Sequence, residues 1–234
     1  MYRSGAWAHD RPALQIFSYM KRIIIRSFED SGVTVSELYE LRIAAFHQWT
    51  EHMLDISEVL VSMEVFQHYL KGKMVFVAQD EATGELLAMH TLKLNKRKGR
   101  ANGANLAVSP KAKHEGIASQ MLHAEAQRLR KNGYRYIVEN TAIPATWSVQ
   151  WHLKNGYHIV GYSRSEKHNY DSYVFRKQIA TDVLHHPTDL LWTKPIAPLT
   201  AKIRYCLTWM TTMICKDKAG KLNWLGRMAK RSLR

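Results

Sequence analysis

The run Leu106-Ala107-Val108-Ser109-Pro110-Lys111-Ala112-Lys113-His114-Glu115-Gly116-Ile117-Ala118-Ser119-Gln120-Met121-Leu122 constrains the fold more than any other stretch of the chain. Leu106 and Val108 alternate in a short apolar run and Pro110 ends it. From Ala118 onward Met121, Leu122 and Leu129 recur at helical spacing. The segment therefore reads as a strand that turns tightly into an amphipathic helix beginning near Gly116. A helix start leaves several N–H groups without partners, and the macrodipole adds partial positive charge there. Gly116 lets a ligand approach the main chain, Ala118 keeps the first turn uncrowded, and Lys111 and Lys113 add flanking positive charge. The geometry calls for an anion, most simply a phosphate.

The pattern Lys113-x-x-Gly116-x-Ala118 resembles the acyl-CoA-binding motif of the GNAT (Gcn5-related N-acetyltransferase) superfamily, written Gln/Arg-x-x-Gly-x-Gly/Ala after a strand ending in Val-x-Pro. Lys113 departs from the first position: it keeps a charge but lacks a planar group that bonds through two nitrogens. Further on, Trp147 to Lys154 reads as a short helix stopped by Asn155-Gly156-Tyr157 and followed by an apolar strand. The run Trp151-His152-Leu153-Lys154-Asn155-Gly156-Tyr157-His158-Ile159-Val160-Gly161-Tyr162 resembles the second motif of the same family, with His152 where the family usually has Tyr. The resemblance covers residues 21–179.

The remaining elements fall into order around these two motifs. Residues 21–28, with Ile23-Ile24-Ile25, read as a first strand. Ser36-Glu37-Leu38-Tyr39-Glu40-Leu41 opens a helix with Leu38, Leu41, Ala45 and Phe46 on one face. A second helix spans Met63 to Leu70, and the loop between them is expected to carry Trp49, Glu51, His52 and Asp55. Strands at Met74–Ala78 and Leu86–Leu92 flank a hairpin turn containing Gly84. Further strands are expected at 104–108, 134–138, 158–162 and 173–177. Lys96-Arg97-Lys98-Gly99-Arg100 reads as a solvated hairpin loop. The resemblance implies an α+β fold, a three-layer α/β arrangement. Its mixed, mostly antiparallel sheet has about seven strands, the fourth and fifth parallel and splayed, with helices on both faces.

Beyond this domain the chain changes character. Residues 1–20 read as an N-terminal extension, and residues 180–234 as a proline-punctuated connector followed by a basic, amphipathic helical region. From Lys216 to Arg234 seven basic residues face one acidic residue. The region suits a membrane surface, a protein partner, its own domain or a second subunit as a homodimer. A formal charge of +14 over 234 residues favours anionic partners, and CoA is one. Nucleic acid has this charge in its favour but no reading helix or stacking motif. Cys206 and Cys215 lie too far apart along a helix to bridge, and no paired histidine spacing supports a metal. Met1 to Gln15 is mixed and polar, and no stretch nears the length of a membrane span; the expectation is a cytoplasmic protein.

The resemblance also implies a chemistry. Leu106, Ala107 and Val108 would contact pantetheine through the strand-four backbone. Lys113, His114, Glu115, Gly116, Ile117, Ala118 and Ser119 would surround the pyrophosphate of acetyl-CoA, with Asn140 and Ser148 as further cofactor contacts. Acetyl transfer to an amine needs a route for the ammonium proton and a donor for the departing thiolate. His152 is the expected donor and Glu139, at the end of strand five, the expected base. His90, Glu51 and His52 are alternatives. The implied function is acetyl-CoA-dependent N-acetylation of an amine-bearing small molecule. A catalytically weak CoA-binding module, whose basic C-terminal region holds a membrane or protein partner, is the other reading.

Overall fold

The computed structural model describes residues 22–52, 54–165 and 167–180. The expected N-terminal extension, the connector, the basic helical region and both cysteines lie outside them. Seven strands form one sheet in the order β1-β2-β3-β4-β5-β7-β6. They span β1 Ile23–Ser27, β2 Met74–Asp80, β3 Leu86–Asn95, β4 Arg100–Val108, β5 Tyr136–Ala142, β6 His158–Ser163 and β7 Ser172–Gln178. The helices are α1 Val35–Glu51, α2 Met63–Leu70, α3 Ile117–Lys131 and α4 Thr146–Lys154. Every neighbouring pair is antiparallel except β4 and β5, which run parallel.

β2 and β3 are covered on both faces, so their sequences are nearly continuous apolar runs rather than alternations. Val75, Val77 and Met89 pack with Leu38, Leu41, Ala45 and Phe66 of α1 and α2. Phe76, Ala78, Ala88 and Leu92 point the other way, into a core with Ile117, Met121, Leu122 and Leu129 of α3. The α1 entry is a capping box: the Thr34 hydroxyl accepts from the Glu37 N–H at 3.2 Å, while the Glu37 carboxylate accepts from the Thr34 N–H at 2.7 Å. Trp49 and Glu51, expected in the following loop, belong to α1 itself. The basic hairpin takes the form of a 3₁₀ turn at Lys96–Lys98, closed by Gly99 at φ 59°.

Two strands differ from the sequence expectation. β5 begins at Tyr136, because Gly133 and Tyr134 are used to end α3. The Tyr134 N–H donates to the Leu129 carbonyl at 3.0 Å and the Gly133 N–H to Arg130 at 3.0 Å, a Schellman pair with Gly133 at φ 80°. The strand then runs past Val138, since all of Tyr136–Ala142 pairs with β7. Glu139 and Asn140 therefore lie within β5 rather than at its end. β4 begins earlier, at Arg100, because its polar first half completes the hairpin with β3.

Parallel pairing between β4 and β5 stops after Asn102↔Val138. Both strands continue, β4 to Val108 and β5 to Ala142, with no ladder between them. β4 also bulges, its register against β3 shifting between Met89 and Thr91 so that Asn105 and Leu106 together oppose His90. Asn105 sits at φ 54° there.

Leu38, fully buried beneath α1, is the reference point for this packing. Truncation to Ala is expected to lower unfolding free energy by about 3 kcal/mol in urea titration, against under ~0.5 kcal/mol for Ala at the half-exposed Leu153.

Candidate functional site

The turn between β4 and α3 is built in two steps. The Ser109 N–H donates to the Leu87 carbonyl at 2.7 Å, and Pro110–Ala112 forms a single 3₁₀ turn that buries Ala112. The chain then takes left-handed conformations at His114, φ 67°, and at Gly116, φ 75°, which is the N-cap of α3. A side chain at His114 in that region carries backbone strain that the surrounding turn must hold. No side chain caps α3, and a Cβ on Gly116 would meet nothing within 4 Å. His114, Glu115 and Gly116 are exposed, Ala118 and Ser119 half-buried, and Ile117 is packed inward. Lys113 reaches across to the side-chain oxygen of Gln48 on α1. The Ser119 N–H donates to the Gly116 carbonyl at 3.1 Å, and the N–H groups ahead of it at the start of α3 face outward with two positive residues, Lys111 and Lys113, just before them.

Leu106 is part of the bulge on β4, and Ala107 and Val108 follow it. Ala107 is buried on the α1 side while Val108 packs against the α3 core, so only the strand's backbone edge faces the separation from β5. Asn140 is exposed and pairs through its backbone with Val174. The Ser148 hydroxyl shares a 3.1 Å hydrogen bond with Thr141.

Where β4 and β5 part, a group of ionisable side chains is buried. Glu125 is 0 % exposed, His90 1 %, His152 4 %, Glu139 6 % and Tyr157 1 %. They come from α3, β3, α4, β5 and the turn before β6. His152 Nδ1 lies 2.7 Å from the Ser148 carbonyl, and Nε2 lies 3.2 Å from Glu139 Oε2. A carbonyl only accepts, so Nδ1 carries a hydrogen. The Nε2···Oε2 contact then needs a proton of its own, either on an imidazolium or on a carboxylic acid. Glu139 and His152 are thus placed to pass a proton between them. The Tyr157 hydroxyl donates to the other oxygen, Glu139 Oε1. His152 stacks on Phe175 with ring centres 4.6 Å apart, which fixes the imidazole plane.

Behind this pair, His90 Nδ1 lies 3.0 and 2.9 Å from the two oxygens of Glu125. Its Nε2 points toward Glu139 Oε2 at 3.9 Å and has no hydrogen-bond partner. Burial pulls the His90 imidazole down, but the charges of Glu125 and Glu139 outweigh it and lift the group to about 9. Burial would raise Glu139, yet the His90 charge and the hydrogen bonds from His152 and Tyr157 hold it below the usual carboxylate range. Burial raises Glu125, and burial with the Glu139 charge drives the Tyr157 hydroxyl well above its ordinary value. Gly103 leaves the room for this contact: a Cβ there would stand 2.7 Å from both His90 Nε2 and Glu139 Cγ.

Two connections, the one between α1 and α2 and the one between β6 and β7, meet each other. The Asp55 N–H donates to Asn169 Oδ1 at 3.0 Å, and His168 Nε2 lies 3.3 Å from Glu58 Oε1. Trp49 meets Trp147 edge-on at 5.9 Å, and His52 lies 4.3 Å from Trp147 with its ring tilted by 36°. Buried Arg42 ties these pieces together. Its two terminal nitrogens donate to the carbonyls of Val59 and Glu58 at 2.8 and 2.7 Å, and Nε donates to Asn105 Oδ1 at 3.1 Å.

Glu139 and His152, separate in sequence, are thus brought into contact, and His90 joins them. Glu51 ends α1 as an exposed residue instead. Glu125, Gly103, Arg42 and Asn105 were not anticipated. The one usable signal was a carboxylate at Glu125, four residues from both Met121 and Leu129 on the apolar stripe of α3.

The acetyltransferase (GNAT) family model matches residues 35–157. Among solved structures, the fold is similar to the ribosomal-protein-S18-alanine N-acetyltransferase of Escherichia coli, with TM-score 0.54, 14% identity, 70% of this chain and 100% of that one. It is similar to the IAA acetyltransferase of Bacillus cereus, with TM-score 0.50, 15% identity, 67% of this chain and 99% of that one. It is also similar to a GNAT acetyltransferase of Elizabethkingia anophelis with acetyl-CoA bound, with TM-score 0.50, 18% identity, 67% of this chain and 97% of that one. At these identities the likeness is one of fold. No curated protein matches the sequence.

The buried imidazole makes stability depend on pH in a defined window. His90 binds its proton more tightly folded than unfolded, so its contribution is complete below pH 6.5 and lost as pH climbs through about 9. Urea titrations at pH 6.5 and 9.5 are expected to differ by on the order of 2 kcal/mol in the wild type, and His90→Gln should remove most of that difference.

Proposed function

The chain belongs to the GNAT acetyltransferase family, and from that premise we propose that it transfers the acetyl group of acetyl-CoA to the primary amine of a small molecule by direct attack on the thioester. The observation that carries this reading is the 3.2 Å contact between Glu139 and His152 at the point where β4 and β5 part. The reading also draws on the β4 edge left without a β5 partner and on an α3 N-terminus that no side chain caps.

These features fit acetyl-CoA as donor substrate. The N–H groups of Gly116, Ile117 and Ala118, with Lys113 and the main chain of His114 and Glu115 on the approach, suit its pyrophosphate; Ser119 borders it with its side chain, its N–H donating to the Gly116 carbonyl at 3.1 Å. The backbone of Leu106, Ala107 and Val108 has a free edge for the amide groups of pantetheine, in the manner of an added strand. Asn140 and Ser148 stand at the borders as further contacts. The substrate supplies an activated acyl group; the chain's own residues supply alignment and proton traffic.

In that traffic His152 Nε2 gives the proton it shares with Glu139 Oε2 to the departing thiolate. Glu139 regains one from the acceptor nitrogen once the C–N bond has formed, so the pair ends each turnover as it began. Tyr157 keeps Oε1 of Glu139 occupied throughout, leaving Oε2 as the working oxygen. Tyr157 is therefore a packing and orienting group rather than a proton donor to substrate, as its raised hydroxyl also requires.

A second reading, a CoA-binding module with little turnover, draws on the burial of His152 and the engagement of both its nitrogens. Calorimetric titration with acetyl-CoA and an amine-acceptor screen separate the two. Wild type is expected to bind, and Gly116→Glu, which brings a negative charge to the α3 entry, to weaken binding at least ~10-fold while remaining folded. With an acceptor in hand, His152→Ala should lower kcat by roughly 10²-fold and leave acetyl-CoA affinity within about threefold. A folded wild type that does not bind acetyl-CoA contradicts the proposal, and binding without turnover toward any amine leaves the module.

A further inference from the structure

Glu125 and His90 take no part in the proton traffic described above, yet with Tyr157 they are the most deeply buried ionisable groups in the described residues. Burying a carboxylate and an imidazole in a sheet core is not what stability alone would select, since apolar residues of like volume serve as well or better. Their placement has three peculiarities. The Glu125 carboxylate meets His90 Nδ1 with both oxygens, an arrangement that fixes the ring. The opposite nitrogen, Nε2, is aimed at Glu139 Oε2 without bonding to it. Gly103 stands beside the gap, where any Cβ would collide with His90 and Glu139 together.

We propose that His90, held by Glu125, is a positioning residue whose charge keeps Glu139 ionised, so that the proton shared by Glu139 and His152 resides on His152 Nε2, ready for the thiolate. The inference rests on the reading of Glu139 and His152 as the proton-handling pair. His90 stands 3.9 Å from Glu139, too long for a hydrogen bond and short enough for a strong charge interaction in a dry interior. It acts through the field and transfers nothing itself. The groups facing His90 from each packed element support this assignment. α3 presents Glu125, and Arg128 of α3 lies over the Phe76 ring, 5.7 Å from its centre. β5 presents Glu139, α4 and the turn after it present His152 and Tyr157 around that carboxylate, and β4 presents the uncharged Gly103, with Asn105 and Leu106 opposite His90 in the ladder. β2 places Phe76 opposite His90. The two carboxylates are the anions that favour a charged imidazole, and each engages a different side of the ring.

The test is titration by NMR of the His90 ring and of carboxyl-labelled Glu139, in wild type, His90→Gln and Glu125→Gln. The expected results are a wild-type His90 midpoint of about 9, a fall toward 6.5 in Glu125→Gln, and a rise of the Glu139 midpoint in His90→Gln. Kinetically, His90→Gln should lower kcat about tenfold, move the acid limb of the pH–rate profile upward and leave acetyl-CoA affinity unchanged within about threefold. Should His90→Gln fail to fold, the isosteric Glu125→Gln carries the test through the His90 signal alone. A wild-type His90 midpoint at or below 6.5, or a Glu139 midpoint that His90→Gln does not move, overturns the inference whatever the turnover. If both midpoints move as expected while Glu139→Gln keeps wild-type kcat, the electrostatic coupling stands and the assignment of the proton-handling pair falls.

Discussion

The parting of β4 from β5 after Asn102↔Val138 is the constraint on which the rest of the structure depends. Up to that register the two strands share an ordinary parallel ladder. Past it, Gly103 leaves space that His90 and Glu139 occupy from the α3 side, and β4 bulges at Asn105. The strand edges beyond lose their ladder partners, and a buried polar edge must find other ones. An extended ligand rich in amide groups can satisfy such an edge. The same geometry points the β4 turn at the start of α3, so one ligand can run from the strand edge to the helix N-terminus. Fold and site share a single cause.

Charge arrangement makes this opening more than a gap. Glu139 accepts from Tyr157 on one oxygen and faces His152 and His90 with the other. Such a buried carboxylate is retained as an anion only because imidazole and hydroxyl groups converge on it. Arg42 organises the opposite face by an uncharged route, its guanidinium spread over two carbonyls and the Asn105 amide. It joins the segment at Glu58 and Val59, which meets the β6–β7 connection through His168, to the β4 bulge. The α1–α2 connection and the β4 bulge are therefore held together by one side chain.

What the sequence disclosed was local physics. Pro110, Gly116 and the Met121, Leu122, Leu129 stripe announce a strand, a turn and a helix within one short stretch, and the Asn155-Gly156 stop does the same for α4. The bounds of α2 follow from its own periodicity. Boundaries failed where polar residues sit in strands: Glu139, Asn140 and Thr141 belong to β5 because β7 pairs with them, a partner far along the chain. Tyr134 looked like strand and instead closes α3, its N–H committed to Leu129. His152 and Glu139 could each be named from position, but their 3.2 Å contact needs two elements to meet. Glu125 was hidden by its own surroundings, since a carboxylate on an apolar stripe declares itself only when His90 is seen opposite.

Glu139 and His152 have a role in transfer only if the thiol end of the donor reaches them. A crystal structure with CoA bound is the most direct measurement. The account predicts pyrophosphate against the N–H groups of Gly116 to Ala118, pantetheine along Leu106–Val108, and sulfur within direct or one-water reach of His152 Nε2, about 3 to 6 Å. CoA bound elsewhere on the surface, or bound along β4 with its sulfur pointing away from the Glu139–His152 pair, would contradict it.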